Sequence, residues 1–508
     1  MSDDRYANSN LRLTGPSKWL EGAVLLALIL VCALAMSANR ADVDFWGHVQ
    51  YGMDVLADGL PRTTTYSYTA PDYPWINHEN LAELLMALGV VHLGPTGLLA
   101  IKLMLGVWIV GMILRQAQRQ HVSMLTLCIV ALAIATIFQR DWTLRPQLLS
   151  FLYFTLMLLL LQWCFAGWEG QWRLSRVDRR ADIEKPVELT YSTTRLRFLW
   201  LMPLLFVFWA NSHGGFAAGL CVFIAYLGLR SLEAIVCKGQ QARGLVTRFA
   251  LMAAAAAFAT LLNPYGPGLH LWLINSLGTP RPEIVEWHGP RLWEMHYLPI
   301  WLVLGAWIFS IFFTRRSRDF THMTVMSLLA WQMLEHQRHA PFFAIAFGMW
   351  MPLHIESTLK QIGMARDSTA FGVGVSRPLR WVFSIVLLCL LIVLVGRLSR
   401  RLADMPVMRN EYPVSALEYM AEQDLNGKLV VTYNWAQYAI AAMGTLNNES
   451  QPGVQVQFDG RFRTCYPQDV IDMHFDLLWE IKRNWDANAA MTHRLLTMLG
   501  FLNTVRLT

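Results

Sequence analysis

Apolar stretches long enough to cross, or nearly cross, a bilayer recur along the whole chain, at about 19–38, 95–114, 122–138, 146–166, 198–213, 215–236, 248–262, 297–313, 321–334, 340–354 and 381–396. A run of roughly 20 apolar residues can satisfy its backbone inside hydrocarbon only as a helix. The recurrence therefore predicts an α-helical polytopic membrane protein with about eleven transmembrane helices. Some stretches are short for a straight crossing, and the pairs around 198–236 and 321–354 are candidates for partly re-entrant segments. With 55% hydrophobic and only 15% charged residues among 508, a soluble domain with one large core is excluded. The first run is long for a signal-peptide core and is expected to stay as a span, although Ala35, Ser37 and Ala38 leave a cleavage site open.

Lysine and arginine set the expected orientation. The N-terminal tail, Arg115/Arg119, the run Arg173 to Arg197, Lys238/Arg243/Arg248, Arg315-Arg316-Arg318 and Lys360/Arg366/Arg377/Arg380 alternate with the spans and mark the cytoplasmic side, with the N-terminus inside. These segments hold much of the basic excess behind the net charge of +6, and no nucleic-acid motif accompanies them, so no nucleic-acid partner is expected. Loops 39–94, 139–145, 213–214, 263–296 and 335–339, and the tail after 401, are then extracytoplasmic. Arg397, Arg400 and Arg401 conflict with this scheme, because they follow the last span on the outer side. The cysteines show neither disulfide pairing nor C-x-x-C spacing and read as small hydrophobes.

The unusual polar residues collect in the expected outer segments, which points to one site assembled from several loops. Asp42 and Asp44, in Arg40-Ala-Asp-Val-Asp-Phe-Trp-Gly-His48, lie two apart and face the same way on an extended segment. They could act as general base or hold a divalent cation (Mg or Mn) through hard oxygens, or one could merely cap the next helix. His78 and Glu79 could reach the same rim, or Trp75 could be an interfacial anchor with Asn77 as N-cap. Arg145, just before Pro146, could clamp a lipid-borne phosphate, against the alternative of an Arg140–Asp141 surface pair with headgroup snorkelling. His213 suits a phosphate oxygen or sugar hydroxyl, or a satisfied interior position. Arg338 and His339 have the profile of an anion site, whereas Glu286 with His288 has metal-ligand chemistry without diagnostic spacing.

Two amphipathic helices are expected in the first outer loop, over Asp44–Leu56 and Glu79–His92. The chain divides at about 400 into a transmembrane domain (1–400, with its outer loop at 39–94) and a small extracytoplasmic α/β domain (401–508). In the latter the pattern predicts helices over Val414–Gln423, Trp435–Met443 and Gln468–Lys482 and strands over Lys428–Thr432 and Val454–Phe458. A further strand starts at Val505–Thr508, which suggests truncation. No Gly-rich phosphate loop supports a nucleotide.

In chain order, Asp42-Val-Asp44-Phe-Trp46-Gly-His48, Trp75-x-x-His78-Glu79, Arg145-Pro146-Gln147, Trp209-x-Asn211-x-His213-Gly214, Asn263-Pro264-x-Gly266 and Arg338-His339-x-Pro341 resemble a bacterial membrane family within the C-type glycosyltransferase (GT-C) superfamily. Tyr412-Pro413, Asn434-Trp435-x-x-Tyr438 and Phe458-Asp459-Gly460-Arg461 resemble that family's outer α/β domain. The resemblance implies a GT-C-like fold in a bacterial inner membrane and a polyprenyl-phosphate-sugar donor. It also implies an acceptor glycan, lipid or protein on the outer face, and a first-loop carboxylate acting as base or metal ligand. Asp42 and Asp44 match that carboxylate, and Arg145 and Arg338 are candidates for the donor phosphate. His48, His78, Glu79, His213 and His339 are further substrate-binding candidates. Asn80 stands where many members carry tryptophan after His-Glu, which leaves the acceptor open.

The expected chemistry is inverting sugar transfer with Asp44 or Asp42 as base. One alternative is a catalytically silent accessory subunit of a membrane complex. Another is a transporter of lipid-linked solute, which should carry mid-span charges and an internal repeat.

Overall fold

The structure, a computed structural model, describes residues 18–168, 191–365, 377–444 and 453–487. The N-terminal tail, the basic run 173–185, Arg366 and the expected strand at 505–508 lie outside the described residues.

The body is built of helices α1 (Lys18–Ala35), α2 (Phe45–Asp58), α3 (Asn80–Arg119), α4 (Met124–Asp141), α5 (Gln147–Cys164), α6 (Thr193–Leu196), α7 (Met202–Ala210), α8 (Phe216–Lys238) and α9 (Arg243–Ala259). It continues with α10 (Pro267–Leu277), α11 (Leu298–Phe313), α12 (Phe320–Glu335), α13 (Ala340–Trp350), α14 (Pro352–Gln361) and α15 (Arg377–Leu402). Local chemistry starts several of them. Ser123 and Asp319 accept N-cap hydrogen bonds at α4 and α12, and proline occupies one of the first two positions of α7, α10, α11, α13 and α14.

Six described helical stretches are long and apolar enough to cross a membrane: Asn80–Arg119, Met124–Asp141, Gln147–Cys164, Phe216–Ala259, Met295–Phe313 and Pro378–Leu402. Trp19–Ala35 is a shorter apolar helix. The expected spans near 321–334 and 340–354 become helices of 16 and 11 residues, too short for straight crossings, whereas that near 198–213 belongs to an unbroken helical run in which α6, a 3-10 stretch at Arg197–Leu201 and α7 follow one another. The expected surface helix after Glu79 and the span after 95 form one element. It is kinked at Gly94 (φ 70°), immediately before Pro95.

Helix α13 is the centre of the core. All eleven of its residues are buried, and it packs on α4, α5 and α12. At the periphery, α15 leans on α1 with Trp381 (71% exposed), Leu388 (57%) and Val393 (56%) facing outward, a surface suited to lipid. The anomalous Arg401 donates to Leu34 O (3.0 Å) and Ser37 Oγ (3.3 Å). It thus caps the carbonyl end of α1.

The tail adds α16 (Val414–Glu422), β1 (Gly427–Leu429), α17 (Tyr433–Met443), β2 (Val454–Val456) and α18 (Gln468–Ala487). Strands β1 and β2 pair in parallel, Gly427 opposite Val454 and Leu429 opposite Val456. Each is three residues long, shorter than the five expected, since this small sheet continues only as a single parallel bridge between Ser67 and Val456. That bridge comes from the first outer loop. Tyr51, Tyr66 and Trp75 of the loop share one core with Ile440, Val456 and Phe458 of the tail. At its middle Arg461 is ion-paired to Asp459 (2.7 Å) and lies 4.5–4.9 Å from the Tyr51, Tyr66 and Trp75 ring centroids.

Candidate active site

The site begins where α1 ends. Buried Lys102 of α3 donates to Ala38 O and fixes the exit of the chain from α1. The next residues form a turn instead of the extended segment expected. Asp44 has helical backbone angles (φ −87°, ψ −13°), and its N–H donates to Asp42 Oδ1 at 3.1 Å. Asp44 stands at the N-cap of α2 but makes no side-chain capping bond, so capping does not explain it. Both carboxylates converge on Arg145, which donates from Nε to Asp42 Oδ1 (2.5 Å) and from Nη2 to Asp44 Oδ2 (2.9 Å). Its Nη1 reaches Glu286 Oε1 at 2.7 Å. Pro146 begins α5 directly after Arg145, and Gln147 Nε2 ties back to Asp141 O (3.1 Å), so the guanidinium hangs from a braced corner.

Glu286 arrives from the 278–290 segment, which is clamped to the turn before α13. His336 Nδ1 meets Trp287 O (2.6 Å), Gln337 Nε2 donates to Val285 O (2.6 Å), and Gln337 N donates to His288 O (3.0 Å). Burial raises the Asp44 carboxyl to about 6, with Arg145 opposing and Asp42 assisting. Burial alone would weaken the Arg145 cation, but Asp44, Asp42 and Glu286 hold its pKa well above the ordinary value.

A second cluster surrounds Glu79. His213 Nε2, His78 Nε2 and His48 Nδ1 lie 3.6, 3.9 and 4.0 Å from its oxygens. His48 also pairs with Glu83 (3.0 Å), whose other oxygen accepts from Asn77 Nδ2 at 2.6 Å. Burial would lower the His48 pKa, but the Glu83 hydrogen bond and the charges of Glu79, Glu83 and Asp44 outweigh it and raise it to about 9. His213 is the opposite case. Burial, Arg338 and the other histidines push it down to about 3. Gly215 N donates to its Nδ1 (3.0 Å), which leaves the proton on Nε2, towards Glu79.

The asparagines of the sequence motifs brace this cluster. Asn211 Nδ2 donates to Val207 O and Leu262 O, and Asn263 Oδ1 accepts from Tyr265 N, placing the Tyr265 hydroxyl 2.9 Å from Asn77 N. Ligand atoms of His48, Glu79 and Glu83 lie within 4.8 Å of one another and could hold a metal ion, although His48 and Asn77 already satisfy both Glu83 oxygens.

Among the described residues no carboxylate pairs with Arg338; its guanidinium lies 5.0 Å from the Trp287 centroid. On the same indole lies Arg281, at 3.9 Å. Burial and the charges of Arg463 and Arg338 lower Arg281 to about 10, with only Glu283 opposing, a local positive excess that an anion would relieve.

Asp44, His48, His78, Glu79, Arg145, His213, Arg338 and His339 all line one cavity of about 930 Å³; Asp42 stands just behind, on Arg145. From its polar end the cavity continues into an apolar cleft between α8 and α12, walled by Ala218, Cys221, Ala225, Leu328 and Trp331. The tail closes the other side through Tyr433, Gln437 and Gly460. A β-carbon at Gly460 would sit on Asp44 Oδ1 and 2.9 Å from Gln437 Nε2, so only glycine admits this approach.

Sequence reasoning missed Arg281, and it quoted Gly460 only within an outer-domain motif, without a place at the site. It also considered Glu286 only as a partner of His288, where the structure turns it to Arg145. Glu286 does stand beside a tryptophan in a Pro-rich outer segment, which is the signal available.

No protein-family model and no curated protein sequence matches the chain. Among solved structures, the apo crystal structure of the Archaeoglobus fulgidus oligosaccharyltransferase is similar over 84% of this chain, with a TM-score of 0.50 and 12% identity. The same enzyme tethered to an acceptor peptide containing the NVT sequon gives 0.50 and 11%. Its complex, as AglB, with an inhibitory peptide and dolichol-phosphate gives 0.50 and 10%. The chain spans 64% of the length of that oligosaccharyltransferase. At this identity the likeness is one of fold, shared with that oligosaccharyltransferase over most of this chain.

Proposed function

We propose that the protein is a membrane glycosyltransferase that moves a sugar from a polyprenyl-phosphate donor to an acceptor on the extracytoplasmic side. The observation that carries this reading is one cavity with a carboxylate at its polar end, two guanidinium groups there that pair with no carboxylate among the described residues, and an apolar cleft leading away between two helices. A polyprenyl chain fits the cleft, and its phosphate falls to Arg338 and Arg281 beside Trp287, with neutral His213 and His339 as hydrogen-bonding neighbours. Asp44 takes the acceptor's proton as the anomeric carbon is attacked and the lipid phosphate leaves. Attack from the face opposite the phosphate inverts the anomeric centre.

The loops 39–94, 139–145, 211–215, 278–290 and 335–339 meet at one end of the helical body, which supports a single extracytoplasmic site with the tail as its cover. In proteoliposomes loaded with a radiolabelled polyprenyl-phosphate sugar, Asp44→Asn is expected to cut transfer by about 100-fold or more while insertion is unchanged. Undiminished transfer removes Asp44 from the mechanism. The engagement of Asp44 by Arg145 favours one second reading, a silent subunit of a membrane complex, for which the wild-type protein would transfer no sugar in the same assay.

A further inference from the structure

Asp42, Asp44 and Glu286 bring three carboxylates to one point, the hard-oxygen donor set that a magnesium or manganese ion takes. That point is filled by a side chain. Each of the three guanidinium nitrogens of Arg145 has its own carboxylate: Nε on Asp42 at 2.5 Å, Nη2 on Asp44 at 2.9 Å and Nη1 on Glu286 at 2.7 Å. A divalent ion binds such oxygens at roughly 2.0–2.6 Å and would need the guanidinium to leave. The competitor is tethered, however, at the start of α5, and planar forks of this kind match carboxylates better than any other side-chain cation. The remaining Asp44 oxygen faces Gly460, where the tail packs too closely to admit a β-carbon. The Asp42/Asp44 pair therefore does not fit a metal ion.

We infer that Arg145 is the resident cation of this carboxylate centre, standing where a divalent metal would otherwise bind and holding Asp44 against the cavity wall as a positioning residue. Its consequence for turnover rests on the transferase reading above; its consequence for metal binding does not.

Manganese binding to the purified full-length protein, followed by the loss of the free Mn²⁺ electron paramagnetic signal, tests the inference. The quantity read is the difference in bound Mn²⁺ between each protein and its Asp44→Asn derivative. For the wild type that difference is expected to be zero. For Arg145→Gln, and for Arg145→Ala, it is expected to be one ion per chain, abolished again by Glu286→Gln. A wild-type site that Asp44→Asn removes overturns the inference, as does a folded Arg145→Gln protein that gains no site. Should neither arginine variant fold, the wild-type comparison alone decides. A positioning role adds a second readout: in Arg145→Gln the ascending limb of the pH–transfer profile should move to higher pH, because the neighbouring cation no longer favours ionised Asp44. An unmoved limb with intact transfer counts against the role. The Mn²⁺ measurements hold whether or not sugar transfer is detected, so failure of one reading is separable from failure of the other.

Discussion

His48 and Asp44 lie one helical turn apart, at the start of α2, and the fold raises the proton affinity of both. For His48 the rise from 6.5 to about 9 comes from the Glu83 bond and nearby carboxylates overcoming burial. A raised histidine stabilises the fold fully below pH 6.5 and progressively less as pH climbs through 9, a contribution of about 3 kcal/mol for a side chain this buried. Thermal melts of the wild type should thus fall between pH 6.5 and 9.5, and those of His48→Gln should fall less; parallel curves would remove the His48–Glu83 pair as the cause. For Asp44 the sign is the same. Burial raises its pKa from 3.8 to about 6, so the ionised form is disfavoured by the fold, and stability is lost rather than gained as pH rises through that window. A base must be ionised, so kcat/KM for transfer should rise with pH through a single deprotonation near pH 6; a flat profile from pH 5 to 8 would exclude Asp44 as that base. Asp42, Asp44, Arg145, His213 and Arg338 were legible in the sequence because each is a polar side chain beside an apolar run, where its presence costs energy. Arg281 was not, since no periodicity governs the segment that carries it. Neither was the partner of Glu286, which lies 141 positions away.

At the scale of elements, the tail was readable almost helix by helix. The pattern over 414–423 becomes α16 at Val414–Glu422, and that over 435–443 becomes α17 at Tyr433–Met443. Strong apolar spacing and Pro413 fixed these elements locally. What spacing alone could not reveal is that the first outer loop completes the tail's sheet through Ser67 and its core through Tyr51, Tyr66 and Trp75. Those contacts join residues nearly 400 positions apart, and their sole local trace is the aromatic content of the loop. The join matters because it presses Gly460 onto Asp44. Gly460→Ala should therefore push the carboxylate off its position and lower kcat by about tenfold or more, since even ångström-scale misplacement of a catalytic group is costly. Expression and melting should change little, because the extra methyl group meets a cavity-lining side chain rather than the core. A normal kcat in Gly460→Ala would mean that the tail does not position Asp44.

For the whole molecule, the sorting of charge between loops was the most informative sequence signal, and the loops read as one face do converge on one cavity. The number of crossings was less legible. Hydropathy counts apolar residues, whereas α13 is apolar because protein surrounds it: every one of its residues is buried. A short buried helix and a short span have the same composition. The same ambiguity hides the cleft between α8 and α12, whose wall is apolar like the rest of the body but open. Its exposed residues include Cys221, Leu328 and Trp331. If this cleft holds the donor's polyprenyl chain, filling it should weaken the donor without touching the chemistry at the polar end. Cys221→Trp is expected to raise KM for a long-chain polyprenyl-phosphate sugar by about tenfold, the equivalent of about 1.4 kcal/mol of lost apolar contact. A donor analogue with a chain too short to enter the cleft should be used equally well by both proteins, and KM for the acceptor should not move. An equal effect on long and short donors would place the lipid elsewhere, because a substitution that merely distorted the active site could not distinguish them.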